Sequence, residues 1–314
     1  GGKMMMWGVT SKARKRWMPY LRQYLSTLHV KEEENQYRNM QLEMSVEVTH
    51  LSEKLKSIPA LRRYKGRVYI PYVQNDDAKK ITTVAEDLLA LGCSPVPHVP
   101  VRRFSSWKEL ENVLRFWEKM GIREIFLIGG DVPKPLGPLD NSMQVLESGI
   151  LQEIGVKRVG CALHPEGNVN DPHHVESLLE KIEWMKDQQS MSWKENALDM
   201  CLVSQPCFSA AIINQCLHSV RSHAPMKMWV GTVGPSDAAS LVRFAKICGI
   251  STSLRMIQTH GFELSNLVSA LTPEHIINSV ESCHFHIFSL GGLEVTLQWM
   301  EMLKESREES ARVS

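Results

Sequence analysis

Eight short apolar runs, rich in β-branched residues, recur along the chain at a regular spacing. They are Met44–Thr49, Arg67–Val73, Ser94–Val101, Glu124–Gly130, Lys157–His164, Asp199–Gln205, Lys227–Val233 and Cys283–Leu290. Between most of them the apolar period changes from near two to three or four. Ile81, Val84, Leu88 and Leu91 share one helical face, as do Leu110, Val113, Leu114 and Trp117, and then Val175, Leu178, Leu179 and Ile182. Plausible caps precede the helices at Ser105 or Ser106, at Asn141 or Ser142, and at Ser236.

Strands that alternate with helices pair in parallel, and strands covered on both faces read as continuous apolar runs. Eight such units predict an α/β fold, a (β/α)8 TIM barrel, over residues 44–304. The rival is a doubly wound sheet, which favours a glycine-rich dinucleotide turn after its first strand, and the chain has no GxGxxG. Residues 234–282 form a long connection. They predict a helix at Ala238–Cys248 and an insertion, STSLRMIQTHGFELSNL, with the character of a lid or binding loop.

The two ends depart from this rhythm. Residues 1–31 hold seven Lys or Arg and no Asp or Glu, interleaved with Met4, Met5, Met6, Trp7, Trp17, Met18, Leu21 and Leu25. Residues 1–43 therefore read as a basic extension, either a mitochondrial targeting leader or a solvated docking arm. Residues 305–314 read as a charged C-terminal tail. The net charge of +1 gives no bulk pull toward nucleic acid or anionic membrane, and no apolar run approaches a membrane span. Seven cysteines without a CxxC pair argue against a structural zinc site and read as reduced core residues.

In a barrel of this kind chemistry gathers at the C-terminal ends of the strands. Here those ends carry Glu47, Tyr72 and Gln74, His98, Asp131, His164 with Glu166, Gln205, the GTVGPS turn and Ser289. In IFLIGGDVP, Gly129 and Gly130 permit close approach of another backbone or of a planar ligand, and Asp131 leaves the strand toward the mouth. A turn aspartate that caps the next helix is the plainer alternative. Glu47 alternates with Val46 and Val48 and so predicts an inward carboxylate, costly unless it is paired or used. GTVGPSD offers backbone N–H groups at a helix start, suited to phosphate or to a simple capped turn. His284 and His286 share a strand face, but as a late-strand pair they do not match the early HxH of metal-dependent hydrolase barrels, so no metal is expected.

EVT at 47–49, PVPHV at 95–99, GGD at 129–131, HPEGN at 164–168, SQPCF at 204–208, GTVGP at 231–235 and HIFSL at 286–290 occur in order. Together they resemble the methylenetetrahydrofolate reductase family, over roughly residues 44–304. The second strand ends PYVQ where that family has a Thr-Tyr-Gly turn. The resemblance implies an FAD-bearing barrel that passes hydride from NAD(P)H through flavin to 5,10-methylene-tetrahydrofolate. It implies that Glu47 is the general acid, with a carboxyl pKa raised by burial, that Asp131 lies beside the flavin and that Gln205 holds the pterin. It further implies that His98, Gly130, His164, Glu166 and Lys186 line the FAD site. A second reading is a non-catalytic subunit of a larger mitochondrial assembly, and a homo-oligomer is compatible with either.

Overall fold

In the computed structural model, residues 41–48, 55–72, 77–167, 174–190, 197–207, 209–236, 240, 276–277, 279–282 and 284–313 are described. Residues 1–40 of the extension, Gln74, the expected helix at 238–248 apart from Ser240, and the insertion at 251–267 lie outside them.

The strands are β1 (Glu43–Glu47), β2 (Arg67–Ile70), β3 (Ser94–Pro100), β4 (Glu124–Ile128), β5 (Arg158–Leu163), β6 (Asp199–Ser204), β7 (Lys227–Val233) and β8 (His284–Phe288). All pair in parallel in the order β1 to β8, and β1 closes on β8, with Ser45 opposite His286 and Glu47 opposite Phe288. The chain is a (β/α)8 TIM barrel, and each strand falls within or one residue from its expected run.

The helices are α1 (Pro59–Arg63), α2 (Ala78–Ala90), α3 (Trp107–Lys119), α4 (Ser142–Glu147), α5 (Ile150–Ile154), α6 (His174–Ser190), α7 (Ala210–His223) and α8 (Leu293–Val313). Their starts follow from side-chain caps. Asp77 accepts from Lys80 N, Ser106 from Glu109 N, and Asn141 forms a reciprocal capping box with Gln144. Asn141, not Ser142, is thus the cap of α4. The charged stretch from 305 continues α8 as far as Val313. Among the described residues no helix is long and apolar enough to cross a membrane.

Alternation along each strand makes two cores. Val46, Val68, Ile70, Val99, Leu127 and Val159 face outward and pack under the helices. Tyr69, Val96, Phe126, Cys201, Val203 and Trp229 fill the inside. The first residues of the strands close the opposite, N-terminal mouth with ion pairs. Glu124 accepts from Arg67 at 2.9 Å and Arg158 at 3.0 Å, Asp199 accepts from Arg158 at 2.6 Å, and Glu43 pairs with Lys227 at 3.2 Å. The Trp229 ring takes Arg67 and Lys227 at 5.2 Å from its centre. With that end sealed, the strand C-terminal end remains the natural place for chemistry.

Candidate active site

Glu47 ends β1 and points into the barrel, because Val46 and Val48 on either side are fully buried against the outer layer. Its carboxylate meets two imidazoles. Nε2 of His98, from β3, lies 3.3 Å from Oε2 but lacks a well-aligned hydrogen bond. Nε2 of His286, from β8, lies 3.4 Å from the same oxygen. The other ring nitrogen of His286 is 2.9 Å from Ser45 Oγ, which fixes the ring from below. Ser289 donates its hydroxyl to the Glu47 carbonyl at 2.6 Å and so anchors the end of β1 to β8. Glu47, His98 and His286 are all buried. Among the described residues no group of three or more His, Cys, Asp or Glu is arranged to hold a metal ion. The Glu47 carboxylate and His286 imidazole share a hydrogen bond at 3.4 Å.

Its electrostatics correct one sequence expectation. Burial pushes the Glu47 carboxyl up, but its interactions with His286, which hydrogen-bonds it, and with the nearby His98 imidazole outweigh that and hold the carboxyl down at about 2. Glu47 is thus ionised at neutral pH, not a standing acid. Burial pushes the His286 imidazole below its ordinary value, against the pull of Glu47. Glu47 and His286 are coupled, and of the two it is the imidazole that carries an exchangeable proton near neutrality.

On the rim, Gly130 has φ +101°, and a Cβ there would lie 3.1 Å from Pro100 Cβ. Its close approach is therefore to the chain itself, while a Cβ at Gly129 would meet open space. Asp131, three residues past the end of β4, is held by Arg103 through Nε–Oδ1 at 2.9 Å, Nη2–Oδ1 at 2.7 Å and Nη2–Oδ2 at 2.9 Å. The Arg103 guanidinium also lies 5.3 Å from the centre of the Tyr72 ring. Gln205 donates its side-chain amide to the Gly167 carbonyl at 3.3 Å, which ties the β6 end to the turn begun by His164. Glu166 in that turn hydrogen-bonds the Cys207 thiol, whose pKa burial, and then Glu166, push well up. Gly231 is glycine because Ser204 O would sit 2.2 Å from its Cβ. The helix start that would cradle phosphate after Ser236 lies outside the described residues.

Of the expected site residues, the structure brings Glu47 and His98 together and sets Gly130, Asp131, His164, Glu166 and Gln205 on neighbouring strand ends. Lys186 is not among them, which corrects its expected place at the rim. It lies twelve residues into α6, which runs away from the mouth, roughly 18 Å along at 1.5 Å per residue. There it is exposed and 3.9 Å from Glu183. Sequence reasoning passed over Ser45, Tyr69 and Arg103, and weighed His286 only as half of a metal pair. The period-two match of His286 with Phe288 on an inward face was the available signal for it.

No protein-family profile matches the chain. Solved structures with a similar outline include the 3-dehydroquinate dehydratase from Aquifex aeolicus VF5, at 12% identity over 84% of this chain and 98% of that one, with a TM-score of 0.40. The HpcH/HpaI aldolase from Desulfitobacterium hafniense DCB-2 is 11% identical over 91% of this chain and 95% of that one, with a TM-score of 0.35. An HpcH/Hpal aldolase/citrate lyase family protein from Burkholderia cenocepacia J2315 is 11% identical over 90% and 100%, with a TM-score of 0.36. The closed strand order, rather than these distant likenesses, establishes the barrel.

Proposed function

We propose that this barrel is a flavin-dependent oxidoreductase resembling methylenetetrahydrofolate reductase. In this reading hydride passes from NAD(P)H through FAD to 5,10-methylene-tetrahydrofolate. The observation that carries it is the buried Glu47 carboxylate with two imidazoles converging on one of its oxygens at the strand C-terminal end. Burying three titratable groups in a barrel core is costly unless they are paired or used, and here they meet at the strand ends where a barrel carries its chemistry.

The residues present fit a flavin in part. Gly129 leaves open space on the rim, and His98, Gly130, Asp131, His164 and Glu166 stand on adjacent strand ends where they would hold it. Lys186 would not contribute. FAD, when bound, would supply the hydride. The chain's own residues do the rest. The ionised Glu47 holds a counter-charge in place, His286 is locked by Ser45, and the proton required by a folate ring nitrogen leaves an imidazole. Glu47 keeps its negative charge throughout and favours the imidazolium that forms by proton uptake from solvent before transfer. Gln205 lies on the β6 end as a polar contact for a pterin once its bond to Gly167 opens.

One observation favours the second reading, a non-catalytic subunit of a larger mitochondrial assembly. Asp131 and Gln205, the rim groups meant for ligands, are engaged within the chain by Arg103 and Gly167. Purified protein that is yellow, or that takes up added FAD with a shifted absorbance spectrum, supports the enzyme. Colourless protein that refuses FAD supports the subunit. A mitochondrial address goes with either reading, and import of a reporter fused to residues 1–40 tests it.

A further inference from the structure

Tyr69 sits where the cluster is held together. Its strand lies between the one that carries Glu47 and the one that carries His98, with Tyr69 opposite Glu47 on one side and Val96 on the other. His98 must therefore reach across β2 to meet Glu47, and Tyr69 is the inward side chain it crosses. The Tyr69 ring lies edge-on to His286 at 4.4 Å between centroids and edge-on to His98 at 6.1 Å. Phe126 backs the arrangement at 5.6 Å from Tyr69 and 4.8 Å from His98, and Phe288 packs 4.8 Å from His286. The Tyr69 side chain is almost wholly buried, yet its hydroxyl has no hydrogen-bond partner among the described residues. A buried hydroxyl left unpaired is a cost, so the value of the residue at this position lies in its ring.

We propose that Tyr69 is a positioning residue: its ring props both imidazoles against Glu47 and keeps water from the underside of the cluster. This deepens the proton-handling role assigned to the cluster and rests on that reading. A small or flexible side chain at 69 would leave a space beneath two imidazoles that are polar enough to admit water. The rings would lose their common direction, and the burial that pushes His286 down would weaken.

The test uses the whole chain and reads imidazole titration by two-dimensional 1H–15N NMR of labelled histidines, so it needs neither flavin nor folate. Tyr69→Phe keeps the ring, and the His286 titration should stay where the wild type has it. Tyr69→Leu should move that titration up toward the ordinary imidazole value of about 6.5. Tyr69→Met, longer and more adaptable in shape, is the companion should the leucine variant not fold, and it should give the same upward move. Folded Leu or Met variants with an unmoved titration would overturn the proposal. So would a Phe variant that shifts as far as Leu, or two non-aromatic variants that both fail to fold, since the ring would then serve the core alone. An unmoved titration in a folded Leu variant of protein that does bind FAD would count against Tyr69 and leave the catalytic reading standing. A shifted titration in flavin-free protein would do the reverse.

Discussion

Replacing Glu47 with glutamine gives a stability effect whose size follows from the structure. The drop of the carboxyl from an ordinary 4.5 to about 2 corresponds, at about 1.4 kcal/mol per tenfold, to about 3 kcal/mol of pH-dependent stability. The sign follows from proton binding. Between the two values the unfolded chain binds the proton and the folded chain does not. The stabilisation is therefore fully present above about 4.5 and lost as pH falls through about 2. By about pH 3 the wild type should have given up about 2 kcal/mol of it. Glu47→Gln fills the same volume but cannot titrate, so this component of its acid sensitivity should vanish. Urea unfolding followed by tryptophan fluorescence, repeated from about pH 6 to about pH 3, measures both slopes. His286 adds loss of the same sign at higher pH, because its folded value lies below its unfolded one. The two slopes are therefore compared at the acid end of the range, near about pH 3, where the Glu47 contribution is largest. A variant with the wild-type slope there would refute the pairing of Glu47 with the two histidines.

Three further outcomes are expected. Gly130→Ala should cost about 1–2 kcal/mol, because φ is +101° and Pro100 crowds the new methyl, as read from thermal or urea midpoints. Arg103→Ala should cost no more than about 1 kcal/mol, since Asp131 is partly exposed. The same change should speed amide exchange in residues 129–137 while α3 keeps its protection. Glu124→Gln at the sealed mouth should leave Arg67 and Arg158 short of a partner and lower stability, more at low than at high salt.

Much of the fold was legible because strand burial leaves a signature in the chain itself. Runs such as EIFLI and DMCLVS have no polar face to offer, and parallel strands under helices need none. The candidate site was legible only where a residue's direction follows from its own strand, as with Glu47 between two valines. What surrounds a side chain was not. The partner that decides the charge state of Glu47 stands 239 residues away, across the closure of β1 on β8. Arg103 reaches Asp131 from the turn after the neighbouring strand, a contact set by how two loops fold. Lys186 illustrates the converse: its place depends on the direction in which α6 leaves the rim, which a matched position does not encode.

As proposed, this barrel would move hydride through flavin and a proton through the Glu47 cluster. The most direct test is a pair of rates on FAD-loaded protein, flavin reduction by NAD(P)H and flavin reoxidation by 5,10-methylene-tetrahydrofolate, in wild type and Glu47→Gln. The account predicts that the first rate is spared and the second falls by about 10²-fold or more. Equal loss in both, or no loss in either, would contradict it.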